Sequence, residues 1–161
     1  MNSYMIGKRL LSVDLNILIE ITMKGRRIQV AKEFFDIVKT NPNRFELFLS
    51  AHFKKLSPDI SNLLNKYGIR KGNFHEYKQY TLKRNFMPND YHKFASSAGV
   101  NIEDVELFIG SFLMNCDYIV TFNRKQCNKL TQIKNTGWNF GIEVPDIIEV
   151  NKFIHLMHFL L

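Results

Sequence analysis

Leu10–Ile21 reads LLSVDLNILIEI. The opening residues to Asp14 form a short apolar run that suits a buried strand. Asp14 closes that run with a carboxylate, and Asn16 follows two residues later. An ionised Asp in apolar surroundings is costly unless a partner or a metal compensates it. From Asn16 the pattern suits a helix to Lys24, with Gly25 as its stop. A strand that ends on an acid and passes directly into a helix begins a β–α unit. The rest of the chain is read outward from it.

Downstream, IQVAKEFFDIV (28–38) places Val30, Ala31, Phe34, Phe35 and Val38 on one helical face. A TNPN turn follows, and then FELFL (45–49) as a second strand. Ser57-Pro58-Asp59 reads as a helix start, with Ser at the N-cap and Pro in the first turn. That helix runs to Tyr67 and stops at Gly68. Between Arg70 and Gly99 cations mix with aromatics, and Pro88 opens a helix to about Ala98. Ile102–Met114 is amphipathic. Tyr118–Thr121 (YIVT) is a β-branched core strand, and Arg124–Ile133 is helical. Glu143–Val144 ends at Pro145, and Pro145-Asp146 opens the last helix, which continues to His158.

Short apolar strands alternating with helices predict an α/β domain with a mainly parallel sheet. In such sheets, sites form at the carboxyl ends of the strands. Asp14 ends the first strand and Asn123 lies just past YIVT, so both are expected to face one crevice.

The 161 residues suit a single domain, 1–161, with a sizeable core. Apolar residues make up 45 %, with 14 Phe, which argues against disorder. A formal charge of +7 favours an anionic partner such as nucleic acid, though a solvated basic surface has the same signature. Cys116 and Cys127 have no zinc spacing, and one pair makes no disulfide framework, so a reduced cytoplasmic setting is expected. MNSYMIGKRLL lacks the pattern of a signal peptide, and no apolar run reaches the ~18 residues that span a bilayer. Neither GxGxxG nor GxxxxGK[ST] occurs, which speaks against a nucleotide-binding domain. The histidines show no HxH or HExxH spacing. His155 and His158 are read as structural or interfacial.

LSVDLNILIE resembles the first strand of a PIN domain, a metal-dependent nuclease fold found in many prokaryotic toxin ribonucleases. In that family an Asp ends the first strand and opens an Asp-x-Asn pattern, here Asp14-Leu15-Asn16. IEDVELFIGSFLMNCDYIVTFN (102–123) resembles the family's acidic helix start leading to an Asp-Tyr-hydrophobic-Val-Thr-x-Asn/Asp strand end. Arg124-Lys125 resembles the basic turn that follows, and Val144-Pro145-Asp146-Ile147-Ile148 the closing strand and helix.

The resemblance implies a three-layer α/β/α fold and a carboxylate cluster binding Mg²⁺ or Mn²⁺, which activates water for attack on an RNA phosphodiester. It implies Asp14 as the first acid, Asp104 as the third, and Asn123 at the fourth position. Asp59 fits the second, with Asp where the family usually has Glu. Thr121 matches the family's hydroxyl residue that supports the carboxylates, and Asn16 the polar residue beside the first acid. Glu103 is a spare ligand. A homodimer is implied, with the last helix and Phe108–Phe112 as candidate contacts, and an antitoxin protein is a possible partner.

Each acid also has a plainer reading. Asp14 can cap the following helix, and Asp59 and Asp104 can answer helix dipoles. For RNA, the segment 70–84 carries Arg70, Lys71, Lys78, Lys83 and Arg84 among Phe74, Tyr77 and Tyr80. That mixture suits single-stranded RNA, and equally a solvated basic helix. Arg124 and Lys125 stand next to the fourth-acid position, placed to grip a phosphate. The resulting expectation is a divalent-metal-dependent endoribonuclease. The alternative is a PIN-like RNA-binding or assembly module with weakened catalysis.

Overall fold

β1 (Arg9–Val13) alternates its side chains between two buried faces of a sheet. Leu11 and Val13 enter one core, and Ser12, also fully buried, faces the other way. The computed structural model describes residues 8–49, 56–72, 107, 110, 111, 114–123, 125, 128, 131 and 145–160. The elements after β1 are α1 (Leu15–Thr22), α2 (Ile28–Thr40), β2 (Phe45–Leu49), α3 (Pro58–Tyr67), β3 (Arg70–Lys71), β4 (Tyr118–Thr121), β5 (Asp146–Glu149) and α4 (Val150–Leu160). The strands form one five-stranded sheet in the order β3-β2-β1-β4-β5, and all four neighbouring pairs are parallel.

The helices divide between the faces. Residues of α1, α2, α3 and α4 share a core with Leu11, Val13, Leu47, Leu49, Val120 and Ile148. An aromatic row fastens this layer. Tyr67 stacks on Phe35 at 4.3 Å, Phe35 meets the edge of Phe34, and Phe153 bridges Phe34 and Phe45. Phe34 and Phe35 are wholly buried, each contributing on the order of 2–3 kcal/mol. On the other face the backbone is helical at Leu107, Gly110 and Ser111. There Ser111 bonds the buried Ser12 at 2.5 Å and donates to Leu107 O at 2.6 Å. A hydroxyl has one proton, so Ser12 is the donor to Ser111. The architecture is therefore α/β, with helices on both sides of a central parallel sheet.

Several boundaries follow from local chemistry. Ser57 caps α3 by accepting from Ile60 N, Pro58 occupies the first turn, and Gly68 ends the helix at φ 64°. The sequence expectation for that helix is met at both ends. The last segment differs from expectation. Asp146–Glu149 is β5, and the helix begins only at Val150. Pro145-Asp146 therefore leads into a strand, with Asp146 its first residue, and does not open a helix. The β-branched pair Ile147-Ile148 completes the sheet against Ile119 and Val120, and that pairing outweighs the local helix-start signal. Among the described residues no helix is long and apolar enough to cross a membrane.

Candidate functional site

The chain runs outward from β1 in two directions. β2 and β3 lie on one side, β4 and β5 on the other. The carboxyl ends of β1 and β4 therefore flank the point where the strand order reverses, the place where open α/β sheets form crevices. Register levels the two ends. Val13 pairs with Val120, and Asp14 N donates to Val120 O at 2.9 Å. Asp14 and Thr121 thus stand side by side at the rim.

Asp14 is the N-cap of α1, and its Oδ1 accepts from Asn16 N at 3.3 Å. The capping reading of the sequence is realised. A second bond goes beyond capping. Thr121 Oγ1 donates to Asp14 Oδ2 at 2.8 Å. The same hydroxyl accepts from Asn16 Nδ2 at 3.2 Å and from Asn123 N at 3.2 Å. One donor and two acceptor positions are the full capacity of a hydroxyl. Thr121 is wholly buried, so these bonds form where water competes least. Four residues read from sequence as site members, Asp14, Asn16, Thr121 and Asn123, are joined through one oxygen.

One atom of this group is unsatisfied. Asn16 Oδ1 is buried and has no hydrogen-bond partner. A buried lone acceptor is costly, and a bound water or a hard cation beside a carboxylate would satisfy it. The donors at this rim are oxygens from a carboxylate and an amide, the chemistry that Mg²⁺ and Mn²⁺ take. The residues present fit such an ion.

Asp59 lies in the first turn of α3, exposed, on a helix that packs against α1. Among the described residues no group of three or more His, Cys, Asp or Glu side chains is assembled for a metal. Asp104, Glu103, Arg124, Lys78 and Arg84 lie outside the described residues. Lys125 is exposed, and Asn123 is exposed at the strand end. Arg70, the first cation of the basic–aromatic segment, is held in β3. It packs over Phe48 at 5.4 Å and pairs with Glu46 at 3.8 Å.

Two residues at this edge have no specific role in the sequence reading, which counts Arg27 only with Lys8, Arg9 and Arg26 among the cations near strand or helix ends. Glu149 ends β5, paired in register with Thr121, and accepts from Asn151 Nδ2 at 2.8 Å. Its signal is hidden because Pro145-Asp146 reads in sequence as a helix start. Arg27 opens α2, yet its guanidinium lies 4.3 Å above the Phe122 ring, and Nη1 donates to Phe122 O at 3.4 Å. The basic run after α1, KGRR (24–27), is the only sequence trace of that placement.

No family model, no curated protein and no solved structure matches the chain.

Proposed function

We propose that the chain is a divalent-metal-dependent endoribonuclease of PIN type, acting on single-stranded RNA. The observation that carries this reading is the Thr121-centred group at the sheet's reversal point, with Asp14 aimed by two hydrogen bonds and Asn16 Oδ1 left for a ligand. Asp14, Asp104 and Asp59 are the residues that would hold Mg²⁺ or Mn²⁺, with Asn16 beside them. A bound ion of this kind activates water and offsets charge on the phosphate.

The chain's own groups do the remainder. Thr121 fixes the rotamer of Asp14, because its hydroxyl is itself held by Asn16 and Asn123. Asn123, exposed on the rim, orients water or phosphate through its amide. Arg124 and Lys125 follow as phosphate contacts, and Lys78 and Arg84 extend the basic track with the aromatics among them. The net charge of +7 supports an RNA partner by drawing a polyanion to the surface. A cytoplasmic toxin paired with an antitoxin protein is one role for such a nuclease. RNA processing is another. A homodimer through α4 is supported by Leu156, Phe159 and Leu160, which are exposed on that helix.

One observation favours a second reading, a PIN-like module that binds RNA without cutting it. Asn123 stands where many family members carry a carboxylate, and fewer charges weaken a hard-cation site. Calorimetric titration with Mn²⁺ and a fluorescent single-stranded RNA cleavage assay separate the two, each run on wild type and Asp14→Asn. Heat and cleavage that both vanish in the variant support the nuclease. RNA bound but uncut, with no Mn²⁺ heat in either protein, overturns it and leaves the module.

A further inference from the structure

Arg27 is placed differently from the other cations of the α1–α2 connection. Lys24 and Arg26 are exposed, while Arg27 is fixed at three points. Its guanidinium lies over the Phe122 ring, Nη1 donates to Phe122 O, and its backbone N–H donates to Glu20 Oε1 at 2.7 Å. Phe122 is flanked by Thr121 and Asn123, so the guanidinium is anchored on the residue between two members of the Thr121 group. The Glu20 carboxylate forms a loose ion pair with it, which leaves the N–H donors of the fork open. Nε stands 3.7 Å from Glu20 Oε1, too long for a hydrogen bond.

Glu20 instead holds the loop. Gly25 N donates to Glu20 O at 2.9 Å, and the Glu20 carboxylate fills the space where a Cβ on residue 25 would lie. The loop closes over this carboxylate, and the result is that Arg27 is turned toward the end of β4. Of the five N–H donors of a guanidinium, one is used on Phe122 O. The side chain keeps 47 % of its surface exposed. A planar, permanently charged fork with donors beyond the one used on Phe122 O, placed beside the end of β4, has the chemistry of a phosphate contact.

We infer that Arg27 is a positioning residue for RNA, binding a backbone phosphate next to the one at the Asp14–Thr121 rim, with Lys24 and Arg26 extending the track. This rests on the RNA reading above. Binding to Arg27 fixes where the strand lies relative to Asp14, so its loss acts on affinity and KM before it acts on kcat.

The test measures binding of a fluorescent 2′-O-methyl single-stranded RNA, which resists cleavage, over a series of salt concentrations. Wild type, Arg27→Gln and Arg27→Lys are compared. Glutamine can still donate to Phe122 O but carries no charge, and lysine keeps the charge without the fork. Arg27→Gln is expected to bind about tenfold more weakly, and to flatten the slope of log K against log salt by about 0.7. Arg27→Lys is expected to keep the wild-type slope with reduced affinity. Equal slopes and affinities in wild type and Arg27→Gln overturn the inference while the RNA reading stands. Wild type that does not bind this RNA at any salt overturns the RNA reading itself. A purely structural Arg27 would lower the melting temperature in both variants and leave the salt slope unchanged, and that result also overturns the inference.

Discussion

Thr121 Oγ1 and Asp14 Oδ2 are joined at 2.8 Å across β4 and β1, although 107 positions separate them in the chain. The bond exists because register places the two strand ends level, and because Thr121 is buried where its hydroxyl must find partners. Removing the hydroxyl without changing shape isolates its role. Thr121→Val is expected to destabilise the fold by about 1–3 kcal/mol, since Asp14, Asn16 and Asn123 each lose a partner. Thr121→Ser is expected to recover most of that. Urea unfolding of the three proteins checks this, and a Val variant as stable as wild type would contradict the network.

Asp14→Asn separates capping from chemistry. Asn is as good an N-cap as Asp, so stability is expected to fall by less than about 1 kcal/mol, most of it from the weaker Thr121 bond. Mn²⁺ heat and RNA cleavage are expected to vanish. An Asp14→Asn protein that still takes up Mn²⁺ with unchanged heat would remove Asp14 from the ligand set.

A methyl group at Gly25 is expected to disturb one contact for a reason outside the backbone angles. An added Cβ would meet the Glu20 carboxylate, displacing it from the Arg27 N–H. Gly25→Ala is expected to cost less than about 1 kcal/mol, the worth of the displaced Glu20 hydrogen bond, and less still in a Glu20→Ala background. A double-mutant cycle measures the coupling. Additive effects would show that the carboxylate is not what excludes the side chain.

Cys116 is buried, and burial pushes its thiol far above its ordinary 9.0, with the charges of Asp117 and Glu46 acting in the same direction and Arg70 opposing. The native thiol is therefore expected to resist iodoacetamide near neutral pH and to react on unfolding. The sign of the pH effect follows. Below pH 9.0 neither state ionises this thiol, and its contribution to stability is intact. Above it the unfolded chain releases a proton that the native state retains, so stability falls by about 1.4 kcal/mol per pH unit. The difference between wild type and Cys116→Ala in urea midpoints at about pH 8 and about pH 10 isolates this effect.

The legible parts of the fold are those whose signals are local. Ser57, Pro58 and Gly68 each do at their own position what bounds α3, and FELFL and YIVT are strands over the residues that their side chains indicate. DIIE was obscured because a proline followed by an acid looks the same before a helix and before this strand. Only pairing with β4 decides it. The sequence places the stop of α1 at Gly25, yet α1 ends at Thr22 and the positive φ falls on Lys24. The glycine is there for space, which composition does not reveal. At the candidate site, the places of Asp14 and Thr121 at neighbouring strand ends are legible because each closes an apolar strand. That of Arg27 is not, because its place depends on how a loop between two helices folds back over β4.

β3 has a further consequence. Among the described residues it is the outermost strand on its side, two residues long, and both of its side chains, Arg70 and Lys71, are exposed cations. An edge so short gives a stray chain almost no ladder to extend, and its charges repel a second copy presented the same way. That edge thereby carries its own guard against templated aggregation at the high local concentrations met during synthesis.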